Sequence, residues 1–345
     1  MRSDKSRARA ENRTRTLLVG AALLVAGGAV AGFGWTTPTL VLAGKAVLVL
    51  AGLGLIFHGI ARLVVGFRGK PVDLLFVLAV VWLVGICVAA VLAPLLPLGE
   101  HNDVAKTLVE PTNMAPSLLT DHPLGTNNQG LDLLSRSLHG ARTSLAISLL
   151  AVTIGTVVGG AIGVMAGYFR KGVDSVVGIF TNALLAVPPL ILLITLSTFL
   201  DPSLRNMALA LSLLTIPSMV RLARANTIAF AQREFVMAAR LMGATRFRVM
   251  TRELVPNVLL PVCSMAVVMI SALIVAEASL SFLGLGIQQP DPTWGNMIAE
   301  GEGGAMEDYP HIVLVPGAFL FLTVFSFNLL GEKAQKRWDT RSAKL

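Results

Sequence analysis

The sequence predicts an all-α polytopic membrane protein with about eight transmembrane helices, and three observations carry that reading. Of its 345 residues, 54% are hydrophobic and 14% charged, against about 25% charged in soluble domains. Uncharged runs recur along the chain, most of them at or above the roughly 20 residues a helix needs to cross a bilayer. The basic residues also collect on one side of those runs.

Taken in order, Thr16–Gly44 follows six Lys/Arg; it is too long for a cleaved signal peptide and lacks a small-residue cleavage site, so it reads as a retained span. Ala46–Ala61 is short, with Arg62 placed to snorkel. Leu74–Gly99 and Thr143–Phe169 are full-length spans. Ser175–Leu200 is interrupted by Pro188 and Pro189, which free backbone groups that neighbouring helices or water must satisfy. A kink beside a translocation path and a purely structural bend are both open. Asn206–Val220 is short and bounded by Arg205 and Arg221, and Leu254–Ala276 and Ile312–Gly331 complete the eight.

With eight spans, both termini and three loops share a side, which holds 23 of the 28 Lys/Arg. Basic loops stay cytoplasmic, so both termini are expected there. The net charge of +8 is then a matter of topology, not of nucleic acid, and no nucleic-acid partner is expected. Cys87 and Cys263 lie in different apolar spans and read as packing residues.

Between the sixth and seventh spans lies the charged stretch EFVMAARLMGATRFRVMTREL, Glu234–Leu254. Phe235, Ala238, Ala239 and Met242 recur at helical spacing and should form one apolar face. Gly243 can turn left-handed and end that helix, and Thr245 can cap a second one. In the second helix Phe247, Met250 and Leu254 share a face, Arg248 and Arg252 share another, and Pro256 should stop it. By periodicity alone, this pair could rest on lipid headgroups or meet a partner. A DNA-reading helix-turn-helix is disfavoured, because the flanking spans leave little reach.

Other positions carry paired readings. Glu277 sits about 20 residues past the cytoplasmic start of its span, roughly 30 Å along a helix. It is either an outer gate or pathway group, or an interface-level carboxylate capping the Ser279 or Ser281 amides. Leu131, Leu134, Leu138, Ala141 and Leu145 form a helical stripe, with Arg136 and His139 elsewhere; a helix on the outer membrane face and a solvated loop both fit. Trp294 reads as an interfacial anchor. Glu300, Glu302, Glu307 and Asp308 make an acidic outer loop, either receptor-facing or simply solvated. No phosphate-binding Gly-x-x-x-x-Gly-Lys-Ser/Thr loop, His-Glu-x-x-His or Gly-x-Ser-x-Gly occurs, and the five histidines are scattered, so neither ATP hydrolysis nor a metal or catalytic site is expected of this chain.

The stretch AARLMGATRFRVMTRELVPNVLLP resembles the cytoplasmic signature loop of ABC importer permeases, in which Ala238, Ala239 and Gly243 match; Met237 stands where the family carries an acid. HPLGTNNQGLDLLSRSLHGARTSL and EASLSFLGLGIQQPDPTWGNMI are similar to stretches of the dipeptide/oligopeptide/nickel branch, in its C-type subunit, with Asn127 in place of the usual Asp and Leu131 in place of Arg. FNLLGEKAQKRWDTR fits the same branch. The resemblance covers roughly Pro71 to Arg341 and implies a type I importer permease fold: a six-helix core plus an N-terminal two-helix extension. It implies three parts: residues 1–70 as basic N-terminus and extra hairpin, 71–141 as first family-type span and extracellular segment, and 142–345 as permease core with a coupling loop at 221–257. It further implies a bacterial plasma membrane location, a homologous second permease, two ATP-binding subunits that carry ATP and Mg, an extracellular substrate-binding protein and surrounding membrane lipid. Di-/oligopeptides are the implied substrate, nickel or another small solute the alternative. The implied ATPase-coupling residues are Glu234, Phe235, Ala238, Ala239, Arg240, Gly243, Ala244, Phe247 and Arg248; with Met237 at the acid's position, an ion pair to the ATPase is not implied there, and Glu234 and Arg240 are the charged neighbours. Glu277, Pro188 and Pro189 are the candidate outer gate or pathway. A self-sufficient secondary transporter or channel is the reading from another class; it expects inverted repeats and mid-membrane charges, whereas the sequence shows no internal repeat and its spans hold few charges away from their ends.

Overall fold

A computed structural model describes residues 2–36, 48, 51–52, 54–60, 62–63, 65, 73–117 and 120–342. The expected all-α membrane architecture is borne out. Among the described residues, six helices are long and apolar enough to cross a membrane, and the bent pair Lys171–Ala186 and Pro189–Phe199, counted as one span, brings the number to seven. The second expected span, 46–61, lies largely outside the described residues.

The helices run α1 (Arg2–Thr36), α2 (Leu74–Leu92), α3 (Leu133–Phe169), α4 (Lys171–Ala186), α5 (Pro189–Phe199), α6 (Leu204–Phe230), α7 (Glu234–Leu241), α8 (Val255–Phe282), α9 (Trp294–Ala299) and α10 (His311–Ser342). The chain divides into two compact units, Met1–Leu78 and Ala79–Leu345. In the first, α1 meets the following helical stretch at glycines: a Cβ on Gly27 would lie 2.7 Å from the Gly52 carbonyl, and one on Gly59 2.8 Å from that of Gly20.

The second unit is built on α3 and α6. Gly155, Gly159, Gly163 and Gly167 form one stripe of α3, and α6 lies directly on it. A Cβ on Gly155 would come 2.5 Å from Thr215, and one on Gly163 2.5 Å from the Val220 carbonyl. Small residues at such a seam let backbones approach where lipid supplies no hydrophobic drive for association. The main apolar core joins these helices to α2, α8 and α10 through Leu83, Ile86, Leu145, Leu211, Ile274 and Phe327.

Several expectations change. The fourth span does not begin at Thr143. Asp132 caps α3 by accepting from the Ser135 amide at 2.7 Å, and the helix runs unbroken for 37 residues, carrying Leu134, Leu138, Ala141 and Leu145 of the stripe while Leu131 precedes it. The sixth span is not short. α6 extends past Arg221 because Arg221 reaches Asn182 of α4 and Arg224 pairs with Asp174 at the start of α4. The paired prolines do more than kink the fifth span: α4 and α5 meet at 90°. Trp294 is no interfacial anchor, being fully buried with its indole N–H donating to the Ser137 carbonyl at 3.0 Å.

Candidate coupling surface and pathway

α7 is a two-turn helix whose end follows from local chemistry. Gly243 takes φ +81°, with nothing near its Cα that would obstruct a side chain, so the constraint there is the left-handed backbone itself. The Ala244 amide then reaches back to the Ala239 carbonyl at 3.1 Å, and the Gly243 amide to that of Arg240 at 3.0 Å. Thr245 starts the next helix, its hydroxyl accepting from the Arg248 amide at 3.4 Å. One α-turn, Arg246–Arg248, passes into a π-helical segment, Val249–Leu254. Pro256 does not stop this helix. It occupies the first turn of α8, where its missing N–H costs little, and the wider π turn before it makes room for the ring. The second short helix and the seventh span are therefore one rod, Arg246–Phe282.

The face expected from periodicity is divided. Val236 and Ala239 turn inward and pack with Val249 and Leu254 against Tyr168 and Phe230. Phe235, Ala238 and Met242 do not join them; they face outward. The outward surface is apolar, with Leu241 88%, Met242 82% and Phe247 71% exposed. Spacing groups Phe235 with Ala239, but Val236 is the residue the neighbouring helices cover, because they approach from its side. Glu234 and Arg248 are exposed and Ala244 is half-buried. Arg240 lies over the Tyr168 ring at 5.5 Å, a cation–π contact that holds α7 to the end of α3.

A cavity of about 260 Å³ opens at the α4–α5 corner. Leu185, Val187 and Pro189 line one side, Thr215 and Pro217 of α6 another, and Met269 and Leu273 of α8 a third. Of the three candidate pathway residues, only Pro189 borders it. Pro188 is the residue before the first turn of α5. Glu277 is fully buried elsewhere, its carboxylate accepting from the Ser281 hydroxyl at 2.7 Å and the Ser144 hydroxyl at 2.8 Å. It does not cap the Ser279 or Ser281 amides, since amides inside a helix are already engaged and only hydroxyls are free to satisfy a buried acid.

At the opposite end lies a polar cluster that the sequence did not reveal. The Arg136 guanidinium, fully buried, pairs with Glu300 at 2.5 Å and donates to the His101 carbonyl at 2.9 Å. Asn127 donates to the other Glu300 oxygen at 2.9 Å. Glu300 thus does not belong to a solvated acidic loop, whereas Glu302, Glu307 and Asp308 are exposed. An aspartate at position 127 would face Glu300 with like charge, which is a physical reason for Asn127 here. Nearby, burial pushes the Glu100 carboxyl up, but the amides of Asn102, Asp103 and His101 and the Lys106 ammonium together bring it down to about 2. Burial, followed by the neighbouring His139, lowers His101. The two rings stack at 3.7 Å.

A family model described as "binding-protein-dependent transport system inner membrane component" matches residues 159–343. The chain belongs to that family. The matched region runs from the glycine stripe of α3 through α7 and its bend to α10. The permease is also 32% identical over 264 residues to the dipeptide transport system permease protein of Alkalihalophilus pseudofirmus, covering 76% of this chain and 86% of that one. It is 34% identical over 275 residues to the di/tripeptide transport system permease protein of Pseudomonas aeruginosa, covering 79% and 88%. Among solved structures, an inward-facing form of the MetNI methionine ABC transporter aligns with TM-score 0.49 at 19% identity, over 60% of this chain and 97% of that one. The expected resemblance to ABC importer permeases is borne out.

Proposed function

We propose that the permease forms half of the translocation pathway of an ATP-driven peptide importer in a bacterial plasma membrane, with both termini cytoplasmic. A homologous second permease completes the pathway. Two ATPase subunits hydrolyse ATP with Mg, and an extracellular binding protein delivers substrate. The relatives' transport of dipeptides and tripeptides supports the substrate class. The observation that carries the coupling role is the outward apolar surface of Phe235, Ala238, Leu241, Met242 and Phe247, on a segment fixed from behind by Val236, Ala239 and the Arg240–Tyr168 contact. An apolar patch in an aqueous loop favours burial against a partner. Closure of the ATPases would push on α7, and the rod Arg246–Phe282 would carry that push to the cavity wall at Met269–Ala276, a rigid-body switch. The corner at Pro188–Pro189 and the cavity beside it are the proposed substrate path. Glu277 is proposed to set the α3–α8 spacing and not to gate.

The test is binding-protein-stimulated ATPase activity in proteoliposomes holding the full complex. Leu241→Asp and Phe247→Asp should abolish stimulation while the chain still inserts, because both side chains lie outside the packed core. Undiminished stimulation in both would refute the docking role. Gly243→Pro and Ala239→Asp should uncouple as well, by disturbing the bend and its anchor.

A further inference from the structure

Pro217 lies inside α6 and has no N–H, so the Leu213 carbonyl one turn earlier loses its ordinary helical partner. Leu213 and Pro217 both line the cavity at the α4–α5 corner, so the released carbonyl lies on the face of α6 that borders it. Ser218 lines the cavity as well and adds a hydroxyl to the same face. Thr215, the other polar side chain of the lining, spends its hydroxyl inside α6, on the Leu211 and Ser212 carbonyls at 3.2 and 3.1 Å. Around this polar spot the wall is apolar. Met269, Ala272, Leu273 and Ala276 form one stripe of α8, and among the described residues every lining side chain is uncharged.

An unpaired carbonyl in an apolar wall costs free energy unless a donor meets it. A lipid acyl chain has no donor to give. Water has one but gains nothing from the surrounding apolar surface. A peptide offers both, an amide N–H and, beside it, a side chain. The cavity, at about 260 Å³, is smaller than the roughly 300 Å³ at which small-molecule pockets begin, so it holds part of a substrate and not the whole. We propose that it is a subsite for one residue of the transported peptide. The Leu213 carbonyl and the Ser218 hydroxyl take the backbone N–H, and the stripe Met269–Ala276 takes an uncharged side chain. Recognition of the backbone is independent of the peptide's sequence, whereas a charged side chain would leave water with no partner in the wall. The inference rests on the peptide-importer reading above.

The experiment is ATP-driven uptake by proteoliposomes holding the full complex and its binding protein, supplied with alanyl-leucine, alanyl-lysine, alanyl-glutamate or alanyl-proline. The binding protein is the same in every preparation, so its own selection cancels when ratios are compared between variants. Ala272 is exposed on the α8 stripe, outside the packed core, and leaves room for a longer side chain. Ala272→Glu should raise the ratio of alanyl-lysine to alanyl-glutamate uptake by about twofold to fivefold, and Ala272→Lys should lower it by as much. Pro217→Ala restores an N–H to the Leu213 carbonyl. It should lower uptake of alanyl-leucine relative to alanyl-proline, which has no peptide N–H, by about twofold to tenfold. A merely structural effect of either substitution would move all four peptides together. An unmoved lysine-to-glutamate ratio in the Ala272 variants, or an unmoved leucine-to-proline ratio in Pro217→Ala, would overturn the proposal while leaving the importer reading intact. If the charged variants fail to assemble, the Pro217→Ala ratio decides alone. Uptake of none of the four peptides by the wild type would overturn the importer reading and the subsite with it.

Discussion

Arg136 and Glu300 are 164 positions apart, yet among the described residues they pair with each other in a buried site. Removing one partner of such a pair strands the other. Arg136→Ala should therefore destabilise the permease by about 3–5 kcal/mol, while Arg136→Met/Glu300→Leu should recover much of the loss; unfolding titrations in mixed micelles would measure both. Glu100 is held at about 2, well below the usual carboxylate range near 4.5. Its contribution is therefore complete above about pH 4.5 and is lost as pH falls toward 2. The melting-temperature gap between wild type and Glu100→Gln should stay constant above pH 5 and close over that acid window. None of these partners was legible in the sequence. Helical periodicity set Arg136 apart from the leucine stripe correctly, but it is blind to what a second segment brings against the other face. Trp294 was misread for the same reason: Pro290 and Pro292 before it say that the segment turns, not whether another helix covers it.

At the scale of elements, the bend after α7 was readable because its signals are local. Gly243 supplies the left-handed residue and Thr245 the cap, each acting within a few positions. The fate of Pro256 was not readable, since a proline breaks an α-helix but is harmless in a first turn, and the π segment that makes it one is set by tertiary packing. The α3–α6 seam depends on side chains that are absent. Gly163→Val should cost about 1–3 kcal/mol or more through overpacking, whereas Gly160→Val, on the same helix but facing open space, should stay within about 0.5 kcal/mol. Comparing the two in one unfolding assay separates the seam from any general cost of valine in the helix.

For the whole molecule, the run lengths and the charge asymmetry were enough to indicate a many-helix membrane chain, because solvation by lipid imposes the same length and polarity on every span. They could not show that α4 and α5 turn through 90° or that a cavity forms at that corner, since both arise from α6 and α8 packing beside the Pro188–Pro189 break. What unites the parts is a rod from Arg246 to Phe282, with an exposed apolar surface at one end, the proposed docking site, and the cavity wall along its length. The proposed coupling is therefore mechanical and needs a partner seated on that surface. Met242→Cys, in a chain with Cys87→Ala and Cys263→Ala, places a single thiol on the exposed patch. Its labelling by a water-soluble maleimide should be fast in the isolated permease and slow by about tenfold or more once the ATPase subunits are assembled, as expected when a solvent-exposed anchor enters an interface core. Labelling at the same rate in the isolated chain and in the full complex would contradict the account.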